Sequence, residues 1–342
     1  MGRTSGRRGG VVVALLSGLA LAVAPTGAHA DGAAAARGAV RADRALPAAA
    51  PSDTARPGAA GPGAALPGVV PRPEAGPRRP DGAAGPDVIA HRGSSGMAPE
   101  NTAAAVGLAV AQRADFVEID VQRTRDGRLV DFHDCTMERT TDVEEVFPGR
   151  PRYRISDFTW AELRRLDAGS WFDRDFAGER IVTVDEVIAR LDGTRTGLLA
   201  EISPCSHYTG LPADLAGELR QRPRYLRQAL TRHRLAVQSF RPDDAREFRS
   251  RLPGVPVGLL DAERPTDAEL LRLSRWADQV NPQYTVTDRR LVDRVHALGM
   301  EINVWTVDEP GAMRRMAALG VDGVITDFPQ SLTRHPGLRT AR

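Results

Sequence analysis

The stretches VIAHRGSSGMAPENT, residues 88–102, and FVEIDVQRTRDGRLVDFHD, residues 116–134, decide how this chain is read. The first runs apolar up to His91, Arg92 and Gly93 and then breaks, the pattern of a strand that delivers polar groups to a rim. In the second, Glu118 and Asp120 stand two apart in an extended run. Both side chains therefore leave one face, while Val117, Ile119 and Val121 take the other. Two carboxylates on one face of a buried strand repel each other and lose hydration. They stay ionised when a cation or strong donors meet them, and a divalent metal answers both costs at once.

Strand-like and helix-like patterns alternate through the rest of the chain. Strands are expected near 88–92, 116–121, 198–203, 235–240, 255–260, 279–284, 302–307 and 323–327, and helices near 101–113, 183–192, 212–232, 242–251, 266–276, 288–298 and 310–319. Such alternation demands a parallel sheet. The roughly 250 residues beyond Asp87 have the usual length of an α/β protein of the (β/α)8 TIM-barrel class. His91, Asp120, Glu201 and Asp327 fall at the C-terminal ends of strands, where barrel active sites lie.

The run 129–134 stands outside this alternation. Only Arg125-Asp126-Gly127-Arg128 separates it from the preceding strand, too few residues for a parallel crossover, so an antiparallel hairpin is expected. With Asp126-Gly127 as a two-residue type I′ turn, Arg125 pairs with Arg128 and Asp120 with His133, which sets that histidine beside the carboxylates. Residues 135–180 follow as a small insertion without a clean period, apart from a short helix near 159–166.

The first quarter of the chain has a different composition. Residues 1–30 read as an export signal, with Arg3, Arg7 and Arg8 ahead of an apolar run over 11–23 and Ala28-His29-Ala30 as the cleavage site. That run is too short for a stable membrane span. Residues 31–86, rich in Ala, Gly, Pro and Arg, cannot bury enough apolar surface to order themselves and read as a disordered linker. The expected organisation is thus signal peptide, linker, a barrel domain over 87–335 and a tail over 336–342.

Charge excludes some partners. The chain's 46 basic residues are all Arg, and 44 acids leave a formal net charge of +2, so nothing favours nucleic acid. Aromatic residues make up only 5% and no basic amphipathic helix is evident, which argues against tight membrane adsorption. A soluble, exported protein fits.

His91-Arg92-Gly93 followed by Pro99-Glu100-Asn101-Thr102, then Glu118-x-Asp120, then His133-Asp134, resembles the glycerophosphodiester phosphodiesterase family. The likeness continues through LDAGSWF (166–172), IVTVDEVI (181–188), AEIS (200–203), VWTVD (304–308) and GVDGVITDFP (320–329). It implies a (β/α)8 barrel, deacylated phospholipids as substrates, and a divalent cation that assists two histidines. Carried onto this chain, it implies Glu118, Asp120 and Glu201 as cation ligands and His91 with His133 as the acid and base pair. Imidazole suits that role because it titrates near neutral pH. Three carboxylates with no thiol suit a hard cation, and export favours Ca²⁺ over Mg²⁺. The planar fork of Arg92 matches phosphate oxygens and equally a salt bridge to the carboxylates. Trp305 resembles the family's pocket aromatic, lining a glycerol site, facing a quaternary ammonium group or packing in the core. The remaining histidines, His29, His207, His233, His296 and His335, are read as structural, His207 least firmly because it closely follows Glu201.

One departure concerns the phosphate. Where the family's glutamate motif continues to a lysine, this chain has Glu201-Ile202-Ser203, leaving the site less cationic. Cys135 and Cys205, both just beyond strand ends, form either a disulfide or two separate buried thiols. Three activities are consistent with the residues: release of glycerol 3-phosphate and an alcohol from glycerophosphodiesters, a phospholipase D-type reaction on lysolipids or sphingolipids, or phosphodiester binding without catalysis.

Overall fold

Strands rich in Val, Ile and Leu form the ring that positions everything else. In chain order they are β1 (Asp87–Ala90), β2 (Phe116–Arg123), β3 (Leu129–Asp131), β4 (Val182–Thr183), β5 (Gly197–Ile202), β6 (Leu235–Ser239), β7 (Val257–Asp261), β8 (Gln279–Pro282), β9 (Glu301–Val304) and β10 (Gly323–Thr326). The computed structural model describes residues 85–205 and 209–334; the expected signal peptide, almost all of the expected linker, His207, His335 and the tail lie outside the described residues. β1, β10, β9, β8, β7, β6, β5 and β2 neighbour one another in that order and are parallel. A β1–β2 pairing closes them into an eight-stranded barrel surrounded by helices, the expected TIM-barrel class.

Alternation along each strand explains the two sides of the wall. Val117, Ile119, Val121, Leu198, Ala200 and Val237 point outward into a core shared with the helices, including Val106, Val187 and Leu215. The inner apolar cluster is small: Ile89, Leu199, Ala236 and Ile325, with Phe116 and Trp305 against it. Much of the remaining interior is polar. Asn303 donates to Asn281 Oδ1 (3.2 Å), and Asn281 donates to Gln238 Oε1 (2.8 Å). Gly258 and Gly323 make room for this amide row, since a Cβ on either would fall within 3 Å of the Asn281 or Asn303 side chain.

The hairpin differs from expectation by one residue. Thr124 pairs with Arg128, accepting and donating through its hydroxyl and backbone, and the connection is Arg125-Asp126-Gly127, three residues long. Gly127 adopts φ +87°, the left-handed position that closes such a loop. The pairs are therefore Val121 with Asp131 and Gln122 with Val130, and Asp120 O accepts from Phe132 N at 2.8 Å. Asp120 thus lies opposite Phe132 rather than His133. The physical reason is Thr124, whose Oγ1 caps Arg128 N and holds the longer turn.

Two further boundaries moved. The single helix expected over 212–232 is two, Leu211–Arg220 and Pro223–Thr231, because Pro223 has no N–H to continue the first and opens the second. The insertion folds around an apolar core of its own, including Phe132, Met137, Val143, Ile155, Phe158 and Leu163, and ends in β4, which pairs antiparallel with β3. This two-residue strand is absent from the expected set.

Cys135 and Cys205 are joined by a disulfide across a sequence separation of 70. It fastens the start of the insertion to the loop after β5. Removing it by the double replacement Cys135→Ser/Cys205→Ser should cost about 4 kcal/mol on the chain-entropy account of a loop that long. Urea denaturation of the oxidised protein and the double variant measures this, and coincident midpoints would show that the bridge adds no stability.

Candidate active site

β2 and β5 bring three carboxylates together at the mouth of the barrel. Glu118 and Asp120 share the inner face of β2, and Asp120 lies directly opposite Glu201 on β5. All three are buried, and one carboxylate oxygen from each lies within 4.8 Å of the others. Burial, then the charges of Asp120 and Glu201, push the Glu118 carboxyl well above the usual range; burial and Asp120 do the same to Glu201. Glu118 Oε2 accepts from Arg92 N (2.9 Å), but its buried Oε1 has no hydrogen-bond partner among the described residues. An unpartnered buried oxygen beside two more carboxylates is a donor set suited to a hard divalent cation, which Glu118, Asp120 and Glu201 would hold.

Neighbouring groups fix these ligands in place. Asn101 Nδ2 donates to Asp120 Oδ2 (3.2 Å) and to Asp131 Oδ1 (2.5 Å), which also accepts from Asp120 N (3.0 Å). Gln238 Nε2 reaches Glu201 Oε2 at 3.4 Å, its orientation set by the amide row behind it. Arg92 and Asn101 both adopt φ +56°. For an arginine this left-handed backbone costs roughly 1–2 kcal/mol, and it falls where the chain turns its amide towards Glu118.

A second charged group adjoins the first through Arg92. Its guanidinium contacts Glu100 Oε1 (2.9 Å) and Asp120 Oδ2 (3.6 Å), so the expected salt bridge to the carboxylates is present. Arg139, from the insertion, binds both Glu100 and Asp134. Glu100, His133 and Asp134 also cluster within 4.8 Å. Arg139 and Arg92 already neutralise those carboxylates and the group is half-open to solvent, so it does not match the buried triad as a cation site. Arg139 lies under the exposed Trp171, 5.6 Å from the ring centroid.

The two histidines have parallel surroundings. His91 Nδ1 lies 2.7 Å from Asp327 Oδ1, which also accepts from Ser95 Oγ (2.9 Å). His133 Nδ1 lies 2.7 Å from Asp134 Oδ1. Burial opposes the charge of Asp327, but hydrogen bonds from His91 and Ser95 outweigh it and hold this carboxyl below its usual range. Asp134 is likewise partly buried, and bonds from His133 and Arg139 hold its carboxyl well below the usual range. An ionised carboxylate only accepts, so Nδ1 of each ring carries a proton and Nε2 is the nitrogen turned away from the aspartate. His91 is 20% exposed and His133 40%.

Trp305 sits half-buried on the inner face beyond β9, donating Nε1–H to Asn281 O (2.7 Å), with Phe240 edge-on at 5.4 Å. It packs on the inner apolar cluster and reaches the mouth, so it combines the core and rim readings. Ser203 is buried and its Oγ accepts from Cys205 N (3.2 Å), shaping the loop that carries the disulfide. His296 pairs with Asp322 (2.8 Å) below the barrel, a structural role. Sequence reading gave no role to Glu100, Asp131, Asp134, Arg139, Gln238 or Asp327. Glu100, Asp134 and Asp327 lie inside quoted motifs, while Arg139 and Gln238 carry no local signal.

Residues 91–331 match the model of the glycerophosphoryl diester phosphodiesterase family. A glycerophosphodiester phosphodiesterase of Caldanaerobacter subterraneus is 35% identical over 246 residues, covering 72% of this chain and 95% of that protein. One from Bacillus subtilis is 30% identical over 253 residues, covering 70% and 83%. Among solved structures, an Oleispira antarctica phosphodiesterase in complex with the product sn-glycerol-3-phosphate superposes with a TM-score of 0.64 at 30% identity, covering 73% of this chain and 96% of that one.

The buried triad makes stability depend on pH in a defined direction. Folded Glu118 and Glu201 keep protons at pH values where the unfolded chain has released them, so the native state binds more protons and stability falls as pH rises above the usual carboxylate range. A divalent cation that binds the ionised triad should flatten this fall. Thermal melts from about pH 5 to 8, with chelator and with calcium, test it; a slope that calcium leaves unchanged would exclude the triad as a cation site.

Proposed function

Because the chain belongs to the glycerophosphoryl diester phosphodiesterase family, we propose that it hydrolyses glycerophosphodiesters to glycerol 3-phosphate and an alcohol with the help of a divalent cation and two histidines. The observation that carries this reading is the pairing of each histidine, at Nδ1, with an ionised carboxylate beyond the ends of the strands that lead to the mouth. The two Asp partners fix the tautomers, so that both Nε2 atoms are left to accept or give a proton.

A divalent cation held by Glu118, Asp120 and Glu201 supplies Lewis-acid stabilisation of charge on the phosphate oxygens. Arg92, locked by Glu100 and Glu118 at the same edge, orients a further phosphate oxygen. One imidazole, neutral, takes the proton of the attacking oxygen at Nε2, and the other, entering as imidazolium, gives its Nε2 proton to the departing alcohol oxygen, so the two rings exchange protonation states in each turnover. Asp327 and Asp134 hold the rings and balance the imidazolium that each forms in turn. Trp305 and Phe240 give the mouth an apolar wall against which the glycerol or the alcohol packs. With Ser203 engaged by the disulfide loop, Arg92 is the main protein cation for the phosphate.

Calcium is the favoured ion, because three carboxylates at the mouth of a barrel tolerate its variable coordination and an exported enzyme meets it. Export through the N-terminal signal is supported by the disulfide, which persists in oxidising compartments. A second reading, action on lysolipids, draws on Met97, Trp171 and Phe240, which stand exposed on loops beyond the strand ends. Among the described residues no helix is long and apolar enough to cross a membrane.

Glycerol 3-phosphate release from glycerophosphocholine and glycerophosphoethanolamine, after chelation and then with calcium or magnesium restored, tests the reaction and selects the ion. Failure with both ions, alongside cleavage of lysophosphatidylcholine, would favour the second reading. His91→Ala and His133→Ala should each lower kcat by about 10²–10⁴-fold with the circular dichroism spectrum unchanged. Activity retained in either variant would remove that histidine from the mechanism.

A further inference from the structure

His133 is the histidine that the sheet does not hold. β3 ends at Asp131, and the segment Phe132-His133-Asp134 has left strand pairing except for the single bond from Phe132 N to Asp120 O. The side chain that meets this segment belongs to Gln122 on β2, two residues past Asp120 and on the same face. Gln122 is 2% exposed, and its Nε2 lies 2.8 Å from Phe132 O, 3.3 Å from His133 O and 2.9 Å from Asp134 O.

Three successive carbonyls converge on one NH2 group that has two hydrogens to give. Neither a strand nor a helix turns three consecutive carbonyls towards one point, so this backbone shape depends on the donor at its centre. Without it, carbonyl dipoles would face one another, at about 1–3 kcal/mol for the buried Phe132 carbonyl if left unpaired and less for the half-buried carbonyls of His133 and Asp134. The segment so gathered carries both the imidazole and its orienting partner, because Asp134 Oδ1 receives His133 Nδ1. Beyond it, Cys135 is tied to Cys205 and Arg139 holds the Asp134 carboxylate from the insertion side. The bond from Phe132 N to Asp120 O holds only the first residue of the segment, and of the restraints on His133 and Asp134 themselves Gln122 is the one that starts from the strand bearing Glu118 and Asp120.

We propose that Gln122 is the positioning residue for His133: one amide gathers the His133 main chain and ties it, through β2, to the carboxylates at a fixed spacing. The inference rests on the reading of His133 as an acid–base group. It assigns Gln122 no contact with substrate or cation.

Gln122→Met, which keeps length and apolar packing but removes the donor, and Gln122→Glu, which keeps shape and turns a donor towards the carbonyls into an acceptor, are the variants to make. Both should lower kcat for glycerophosphocholine by about tenfold to a hundredfold, the scale of an ångström-sized misplacement of a reacting group, with KM nearly unchanged. Calcium affinity by calorimetry should stay at the wild-type value, which also reports that the variant is folded. In a His133→Ala background the same substitutions should lower the residual rate no further. Wild-type kcat in Gln122→Met, or an equal further loss in the His133→Ala background, would overturn the proposal. An active His133→Ala single variant would instead overturn the acid–base reading, so the two failures are distinct. Should Gln122→Met not fold, Gln122→Glu carries the same comparison, and weakened calcium binding in folded Gln122→Glu would place the residue with the triad and count against the proposal.

Discussion

Electrostatic repulsion among Glu118, Asp120 and Glu201 is the constraint to which the rest of the barrel mouth answers. Three carboxylates are held within 4.8 Å in a buried place, where each pays both for lost water and for its neighbours' charge. Nothing in barrel formation needs them: the outer wall of Val117, Ile119 and Val121 would pack with any inner residues that fit. The surrounding groups supply what the triad lacks. Arg92 takes a strained backbone to offer an N–H to Glu118 and its guanidinium to Asp120 and Glu100. Asn101, also left-handed, donates to Asp120. The interior carries Asn303, Asn281 and Gln238 where aliphatic layers are usual, ending on Glu201. An apolar interior would have been easier to pack, but it could not have oriented that carboxylate.

Much of this was legible in the sequence because strand period is a local property. Each of the eight barrel strands falls within a few residues of its expected place, and the two-residue spacing of Glu118 and Asp120 fixed their common face. The misses have separate causes. The hairpin slipped by one residue because a side chain, Thr124 Oγ1, chose between two turns that Asp126-Gly127 allows equally. The helix over 212–232 broke at Pro223, a signal that was present and outweighed by the apolar pattern on either side. The insertion gave no period because its residues pack around Phe158 and Ile155 from short turns rather than from one long element.

What stayed illegible in the site is tertiary pairing. His133 and Asp134 are adjacent, so their contact needed only a local guess. Asp327 reaches His91 across 236 positions, and no local pattern ties them. Arg139 is one of many arginines, and it matters only because the insertion carries it back over Glu100 and Asp134. Ser203 is the reverse case. Its departure from the family lysine was visible at once, but its use, accepting from Cys205 N in the loop that holds the disulfide, depends on the fold.

Charge balance at the mouth then argues for the role of the cation in the proposed reaction. Among the described residues, Glu100, Glu118, Asp120, Asp134, Glu201 and Asp327 are met there by the guanidinium groups of Arg92 and Arg139. Even with Glu118 and Glu201 sharing protons, the excess is negative, and a phosphodiester brings one more negative charge. An anion does not enter such a field unaided. Ser203, uncharged and buried in the loop after β5, does nothing to reduce the excess. A divalent cation on the triad would therefore do more than polarise a phosphate: its two positive charges would offset part of that excess at the place where the phosphate must sit. Binding of the cation and of a phosphodiester at this mouth should then be coupled, because each leaves the other a smaller charge to overcome.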